Sequence, residues 1–535
     1  MSISLPHRAS LPIRRPTTSK ISVRFADADR YVARIVATAL IRSFTPSQVA
    51  SDGDAAGIDA SCCVAWINPP AACSGDVARL LETGGKALLL GRIGPRMAEV
   101  LGLEFRGSID LPSDLGRCQP NPSSHHDESP AAVQYDARHE LARVSPIKRR
   151  PLCRFDFSNE WNNLGFGRIT LATDAWSLQS DVAADTADVL AWVESPDGPT
   201  TVYAALRDSS SGSALWFNRS TGPVDSLEWR IVEAFFGDYR ADELPCFPYV
   251  GEIPASYQSA VCPRLDCDEA VASAGPLVDF YHEQNIPVSL ALLTGQRIGE
   301  ADLRLMRRVI AAGGSVVSHS VSHEPNWGGS YQQAGREAIV SRDWLRRHLP
   351  EALPVRYAVS PFHQNPPYAV SALADNGYHG FVGGIIANDP EYLLGRAGRV
   401  PLTTRPIVSF SAQCMLHGDC CARYGENVDV YCESYEAHRS ARAVFGYLDH
   451  PFSDRYQYGW PDEATRIKAH ASLIAHLQTG GDVWWASIGD VLDFLWWRDT
   501  ALVSVGPGGR LAVEIDDNAS PHSLAIFWKG REIAA

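Results

Sequence analysis

The chain has 535 residues and a formal net charge of −14, and it is too long for one hydrophobic core. That acidity, with no long Lys/Arg cluster to interrupt it, argues against nucleic acid and anionic membrane surfaces as partners and suits a neutral or aminated substrate better. Apolar residues at 45% and charged ones at 21% exclude bulk disorder, and no apolar run reaches the length of a membrane span.

In chain order, residues 1–20 read as a basic tail. Residues 1–24 carry Arg8, Arg14, Arg15 and Lys20 with no apolar segment ahead of a small-residue cleavage site. No secretory signal is read there, and a cytoplasmic location is expected. Residues 21–240 predict an accessory α/β domain. Short β-rich runs at 21–25, 62–67 and 86–90 alternate with helical stretches at 30–43 and 76–82, and Gly84-Gly85 marks a tight helix-to-strand turn. A polar interval at 117–150 predicts a long surface loop. Strands follow at 189–193, 201–204 and 214–217, and an apolar stripe through Leu227, Ile231 and Phe235 predicts a closing helix. The layout is flavodoxin-like or glutamine-amidotransferase-like, doubly wound. It has no Gly-x-Cys-x-Gly elbow and no Gly-x-Gly-x-x-Gly after the first strand, so an accessory role is the expectation.

Pro245, Pro248 and Pro254 punctuate a connector at 241–259. Beyond it, strands at 260–265, 287–293, 315–318 and 355–360 alternate with helices at 268–284, 300–312 and 330–348. After a less regular stretch come a strand at 445–448, a helix at 463–479 and a strand at 483–486. Repeated βα units of this length predict a doubly wound sheet or a barrel over 260–500, and residues 501–535 alternate as a small β extension.

Twelve cysteines are spaced irregularly and form no paired CxxC knuckles, so reduced thiols are expected. Cys414, Cys420, Cys421 and Cys432 with His417 fit no common zinc motif and read as a loop with free thiols.

Three motifs fall at carboxyl ends of strands, which converge on one mouth in a parallel array: Asp266/Asp268, His319/His323 and Leu448-Asp449-His450-Pro451. Asp266 and Asp268 are two apart and share a strand face. Two like charges side by side call for a cation or a proton, and two His with one Asp suit a catalytic divalent metal. The competing reading of the carboxylates is a helix N-cap at Asp268 with Asp266 in a surface turn.

The order carboxylate pair, His319-Ser320-Val321-Ser322-His323, Ser360-Pro361-Phe362, Leu448-Asp449-His450 resembles the polysaccharide deacetylases of carbohydrate esterase family four, the chitooligosaccharide deacetylase homology domain. The resemblance covers about residues 262–499 and includes the closing stretch from Val483 to Asp490. It implies a distorted (β/α) barrel in which Asp268, His319 and His323 hold one divalent ion, Zn²⁺ first and Ni²⁺, Co²⁺ or Mn²⁺ as alternatives. It further implies Asp266 as general base, His450 as general acid, and Pro361, Phe362, His363 and Trp485 at the substrate, with a backbone N–H near Phe362 for the oxyanion.

The sequence departs from the family in places. The usual Asp-Asp-Gly is Asp-Cys-Asp-Glu here, so a register with Asp268 as base and Glu269 as ligand is the alternative. The third-motif arginine is missing from its place, with Arg356 or His363 as substitutes, and the fourth motif is reduced to Asn388-Asp389. Trp327, Trp460, Trp484, Trp485, Trp496 and Trp497 read as core first and as sugar-stacking faces second. The expected activity is metal-dependent removal of an N-acetyl group from an acetylated amino sugar or glycoside. An amidase on a non-sugar amide and an inactive carbohydrate-binding or scaffold protein are the alternatives. The oligomeric state is not encoded in any feature of the chain.

Overall fold

A computed structural model describes residues 20–51, 63–109, 131–152, 175, 177–195, 198–223, 226–352, 354–383, 395–423, 425, 427–506, 509–516 and 520–535. Two nine-stranded sheets organise them, with a three-stranded sheet and two strand pairs at the side. Among the described residues, no helix is long and apolar enough to cross a membrane.

The first sheet is mixed. Val49–Ser51, Ile21–Arg24, Cys63–Ile67, Lys86–Leu90 and Ser213–Phe217 lie side by side in parallel. Gly198–Asp208, Asp188–Ser195, Ala132–Tyr135 and Arg149–Pro151 extend it antiparallel. On the parallel side the helices Arg30–Gln48 and Ser74–Thr83 separate the strands. The interval expected as a surface loop is a correction. Its described part, 131–150, holds a strand, the short helix Glu140–Arg143 and the start of another strand. Ala132, Val133 and Tyr135 are buried there, in a run too short for its alternation to show.

The second sheet is built from parallel strands that curl until the ends meet. Ser259–Cys267 pairs with Ser289–Leu292 on one side and Val444–Asp449 on the other. Val316–Ser318, Tyr357–Val359, Gly380–Gly383 and Val408–Met415 complete the round. This is the distorted (β/α) barrel expected for this half, with Ser259–Cys267 as its central staple. All nine residues of that strand are buried.

The expected connector is partly strand, a second correction. Tyr249–Pro254 pairs antiparallel with Leu524–Trp528, which pairs in turn with Arg531–Ala534. Buried N–H and C=O groups need partners, and the C-terminal extension supplies them. Buried charges fasten the two sheets' surroundings together. Glu233, on the helix Trp229–Gly237, accepts hydrogen bonds from Arg396 at 2.5 and 2.7 Å, from Ser43 at 2.7 Å and from Arg230 at 3.1 Å. Arg230 also reaches Glu252 at 3.3 Å.

Candidate active site

The site begins on one strand. In Ser259–Cys267, side chains two apart share a face, which places Arg264 beside Asp266. The guanidinium donates from Nε to Oδ1 at 2.8 Å and from Nη2 to Oδ2 at 3.1 Å. Burial acts to raise the Asp266 pKa. The charges of Arg264 and His319 outweigh it and hold the carboxyl well below the usual carboxylate range.

One step past the strand end, Asp268 meets the two histidines. His319 follows the strand Val316–Ser318, and its Nδ1–H donates to the Val359 carbonyl at 3.0 Å. When the ring is neutral, with its proton on Nδ1, it turns a bare Nε2 into the cleft. That nitrogen lies 3.2 Å from His323 Nε2 and 3.3 Å from Asp268 Oδ1, and His323 Nε2 lies 3.6 Å from the same oxygen. Asp268 Oδ1 is buried and makes no hydrogen bond. Three lone-pair atoms facing one another repel unless a cation sits among them. A tetrahedral ion with bonds of about 2.0–2.1 Å sets its ligands about 3.3–3.4 Å apart, and the three spacings bracket that value. The donor set fits a divalent metal. Burial opposes ionisation of Asp268, and the neighbouring histidines, His319 first, outweigh it when protonated and bring its pKa down to about 2.

His450 enters from Val444–Asp449, the strand paired with Ser259–Cys267. Its Nε2 lies 3.6 Å from Asp268 Oδ2, and its ring stacks on Tyr458 with centroids 4.2 Å apart. His450 Nδ1 and His417 Nε2 share a hydrogen bond of 2.9 Å. Behind them, Asp449 binds Arg466 at 2.7 Å and His470 at 3.0 Å. His417, Asp449 and His450 come close enough to bind a cation, but the Arg466 charge already neutralises that carboxylate. His417, Asp419 and Cys420 form another such group, with Asp419 exposed.

Pro361, Phe362 and His363 follow the strand Tyr357–Val359 at the same mouth. Phe362 is 40% exposed and packs on His323 with centroids 4.6 Å apart, an open aromatic face beside the metal triangle. Ser320, His323, Phe362 and His363 all adopt positive φ, so backbone strain concentrates at this rim. Burial, then the Arg264 charge, pushes the His363 pKa down to about 3.

Other expected site residues lie elsewhere. Trp485 pairs in register with Val261, five positions before Asp266, and lines a separate depression with Tyr257 and Asp482. Arg356 precedes the strand Tyr357–Val359, at the end away from the mouth, and lines a cavity with Asp493. Glu269 accepts from Ser453 at 3.2 Å and pairs with Arg455 at 3.4 Å. Asn388 and Asp389 lie outside the described residues. Trp327, Trp460, Trp484 and Trp497 are buried. Among the described residues, Cys414, Cys420, Cys421 and Cys432 form no disulfide.

Two residues at the site were not foreseen there. Arg264 carried a signal, the i, i+2 spacing to Asp266 on a strand. His417 carried none, because it follows Val408–Met415 in the irregular stretch where no period is visible.

No family model matches the chain, and no curated protein does. Solved structures do. Agd3, described as a novel carbohydrate deacetylase, is 9% identical, covering 95% of this chain and 93% of its own, with a TM-score of 0.39. The chitin deacetylase of the fungal pathogen Colletotrichum lindemuthianum is 13% identical over 45% of this chain and 89% of its own, at 0.31. A family 4 acetyl xylan esterase from Clostridium thermocellum, in complex with a cobalt ion, is 13% identical over 44% and 91%, at 0.30.

Proposed function

We propose that the chain is a metal-dependent carbohydrate deacetylase, a divergent relative of the polysaccharide deacetylases, that removes the acetyl group from an N-acetylated amino sugar or glycoside. The observation that carries this is the triangle of His319 Nε2, His323 Nε2 and Asp268 Oδ1 at 3.2, 3.3 and 3.6 Å, with the arginine-held carboxylate of Asp266 two residues before Asp268 and His450 Nε2 at 3.6 Å from Asp268 Oδ2. The comparisons support the fold of such an enzyme. The side chains support its chemistry.

Asp268, His319 and His323 would hold the ion, with Zn²⁺ best suited to two nitrogens and one oxygen. When bound, the ion polarises the amide carbonyl and makes a water acidic enough to lose its proton near neutrality. Asp266 accepts that proton. Arg264 keeps it ionised at every physiological pH, so it is always ready but a weak base, and it suits only an acidified water. His450 donates a proton to the departing nitrogen, which leaves poorly as an anion. Phe362 offers its exposed face to the sugar ring.

The test is direct. Purified protein should hold about one divalent ion per chain and release acetate from an N-acetylated amino-sugar oligomer. His319→Ala/His323→Ala should lose both. Full metal occupancy in that double variant would falsify the ligand set, and metal-loaded protein that frees no acetate from any acetylated sugar would remove the substrate class.

A further inference from the structure

Asp449 precedes the proposed general acid, yet neither of its oxygens touches the His450 ring. Oδ2 is taken by Arg466 Nε at 2.7 Å and His470 Nε2 at 3.0 Å, and Oδ1 accepts the backbone N–H of His450 at 2.7 Å. The ring is held by another imidazole, His417, through the 2.9 Å bond between His417 Nε2 and His450 Nδ1. We infer that His417 is a positioning residue for the general acid, holding His450 by Nδ1 so that Nε2 stays turned to the scissile amide. The inference rests on the deacetylase reading above.

Three features lock the arrangement. His417 is fully buried and His450 is 9% exposed, so neither ring swings freely. Tyr458 packs on both, with centroids 5.1 Å from His417 and 4.2 Å from His450. The turns carrying His417 and Tyr458 meet backbone to backbone, with Gly418 N–H donating to the Tyr458 carbonyl at 2.9 Å. A Cβ on Gly418 would come within 2.3 Å of Gly459, and one on Gly459, at φ 76°, within 2.2 Å of the Asp419 nitrogen. Only glycine permits this approach on either side.

The proton count follows. When His450 is protonated its Nδ1 carries a proton, so His417 Nε2 accepts in the 2.9 Å bond and neutral His417 then carries its own proton on Nδ1. Protonated His450 gives its Nε2 proton to the amide nitrogen as the C–N bond breaks, leaving free amine, acetate and a neutral His450 still donating from Nδ1. The second imidazole does for His450 what a carboxylate or carbonyl does for other catalytic or ligating histidines: it selects the tautomer and the ring orientation.

The experiment compares metal-loaded wild type, His417→Ala, His417→Gln, His450→Ala and His417→Ala/His450→Ala on two substrates. One is an N-acetylated amino-sugar oligomer. The other is p-nitrophenyl acetate, whose leaving group needs no proton. His417→Ala should lower kcat on the amide about 100-fold with KM little changed, and lower ester turnover by less than about threefold. His417→Gln, which restores an acceptor, should recover about tenfold of the amide loss. The double variant should be no worse on the amide than His450→Ala. Equal losses on both substrates, or losses that multiply in the double variant, overturn the positioning role and leave the deacetylase reading standing. A wild type that cleaves the ester but no amide overturns both together.

Discussion

Arg264 and Asp266 stand two residues apart on one buried strand, and the guanidinium grips both carboxylate oxygens, at 2.8 and 3.1 Å. The pair lies at the mouth of the barrel, where Asp266 also feels the charges of His319 and His450. A side chain from the strand itself thus supplies the counter-charge to Asp266.

Replacing Arg264 with Met should leave Asp266 buried without its counter-charge. Burial then raises the Asp266 pKa, and the base becomes protonated as pH falls. The acidic limb of kcat/KM should move up by about one pH unit or more, and stability should drop by about 3–5 kcal/mol. An acidic limb that stays in place would show that Asp266 is not the base.

Metal content should separate the acidic residues at the strand end. Asp268→Asn should lose the ion, Asp266→Asn should keep it and lose turnover by about 100-fold or more, and Glu269→Gln should keep both. Elemental analysis with acetate release on the three variants decides it. Loss of metal in Glu269→Gln would restore the shifted register, against the contacts Glu269 makes with Ser453 and Arg455.

Burial first, with help from neighbouring positive charge, lowers the pKa of His363 and His417 to about 3. Both are neutral in the folded chain and protonate more readily when it unfolds, at about 6.5. Their contribution is therefore complete above about pH 6.5 and declines as pH falls toward 3. Asp449, held low against its burial by Arg466, adds stability that is present above about pH 3.9 and is lost below it. The melting temperature of metal-free protein should fall steadily from pH 7 to pH 5, and a flat profile over that window would contradict these assignments.

Glu233 sits between Arg396 and Arg230, all three buried. Glu233→Ala should cost about 3–5 kcal/mol, because Arg396 loses its carboxylate partner and Arg230 is left with Glu252 alone in a low-dielectric contact. Thermal unfolding would measure it. A loss below about 1 kcal/mol, the range of exposed pairs, would mean that water reaches the cluster.

Much of the barrel was legible because period and strand ends are local properties. The helices Glu300–Ala311 and Tyr331–His348 lie within a residue of their expected bounds, and His319, His323 and His450 stand just past strands as read. The first sheet was legible only where helices alternate with strands. Its antiparallel side and the strand Tyr249–Pro254 depend on partners remote in sequence, which leave little mark on local composition.

The same division holds at the site. Strand alternation already set Asp266 and Asp268 on one face, and those carboxylates together with the two histidines already suggested a metal. Closure of the sheet decided the rest: it set Val444–Asp449 beside Ser259–Cys267, brought His450 to 3.6 Å from Asp268, and delivered His417 behind it. Register likewise put Trp485 level with Val261. Side-chain periodicity is written in neighbouring residues, whereas distances across a barrel follow from which distant strands pair and in what register, and those are settled only when the whole sheet shares one core.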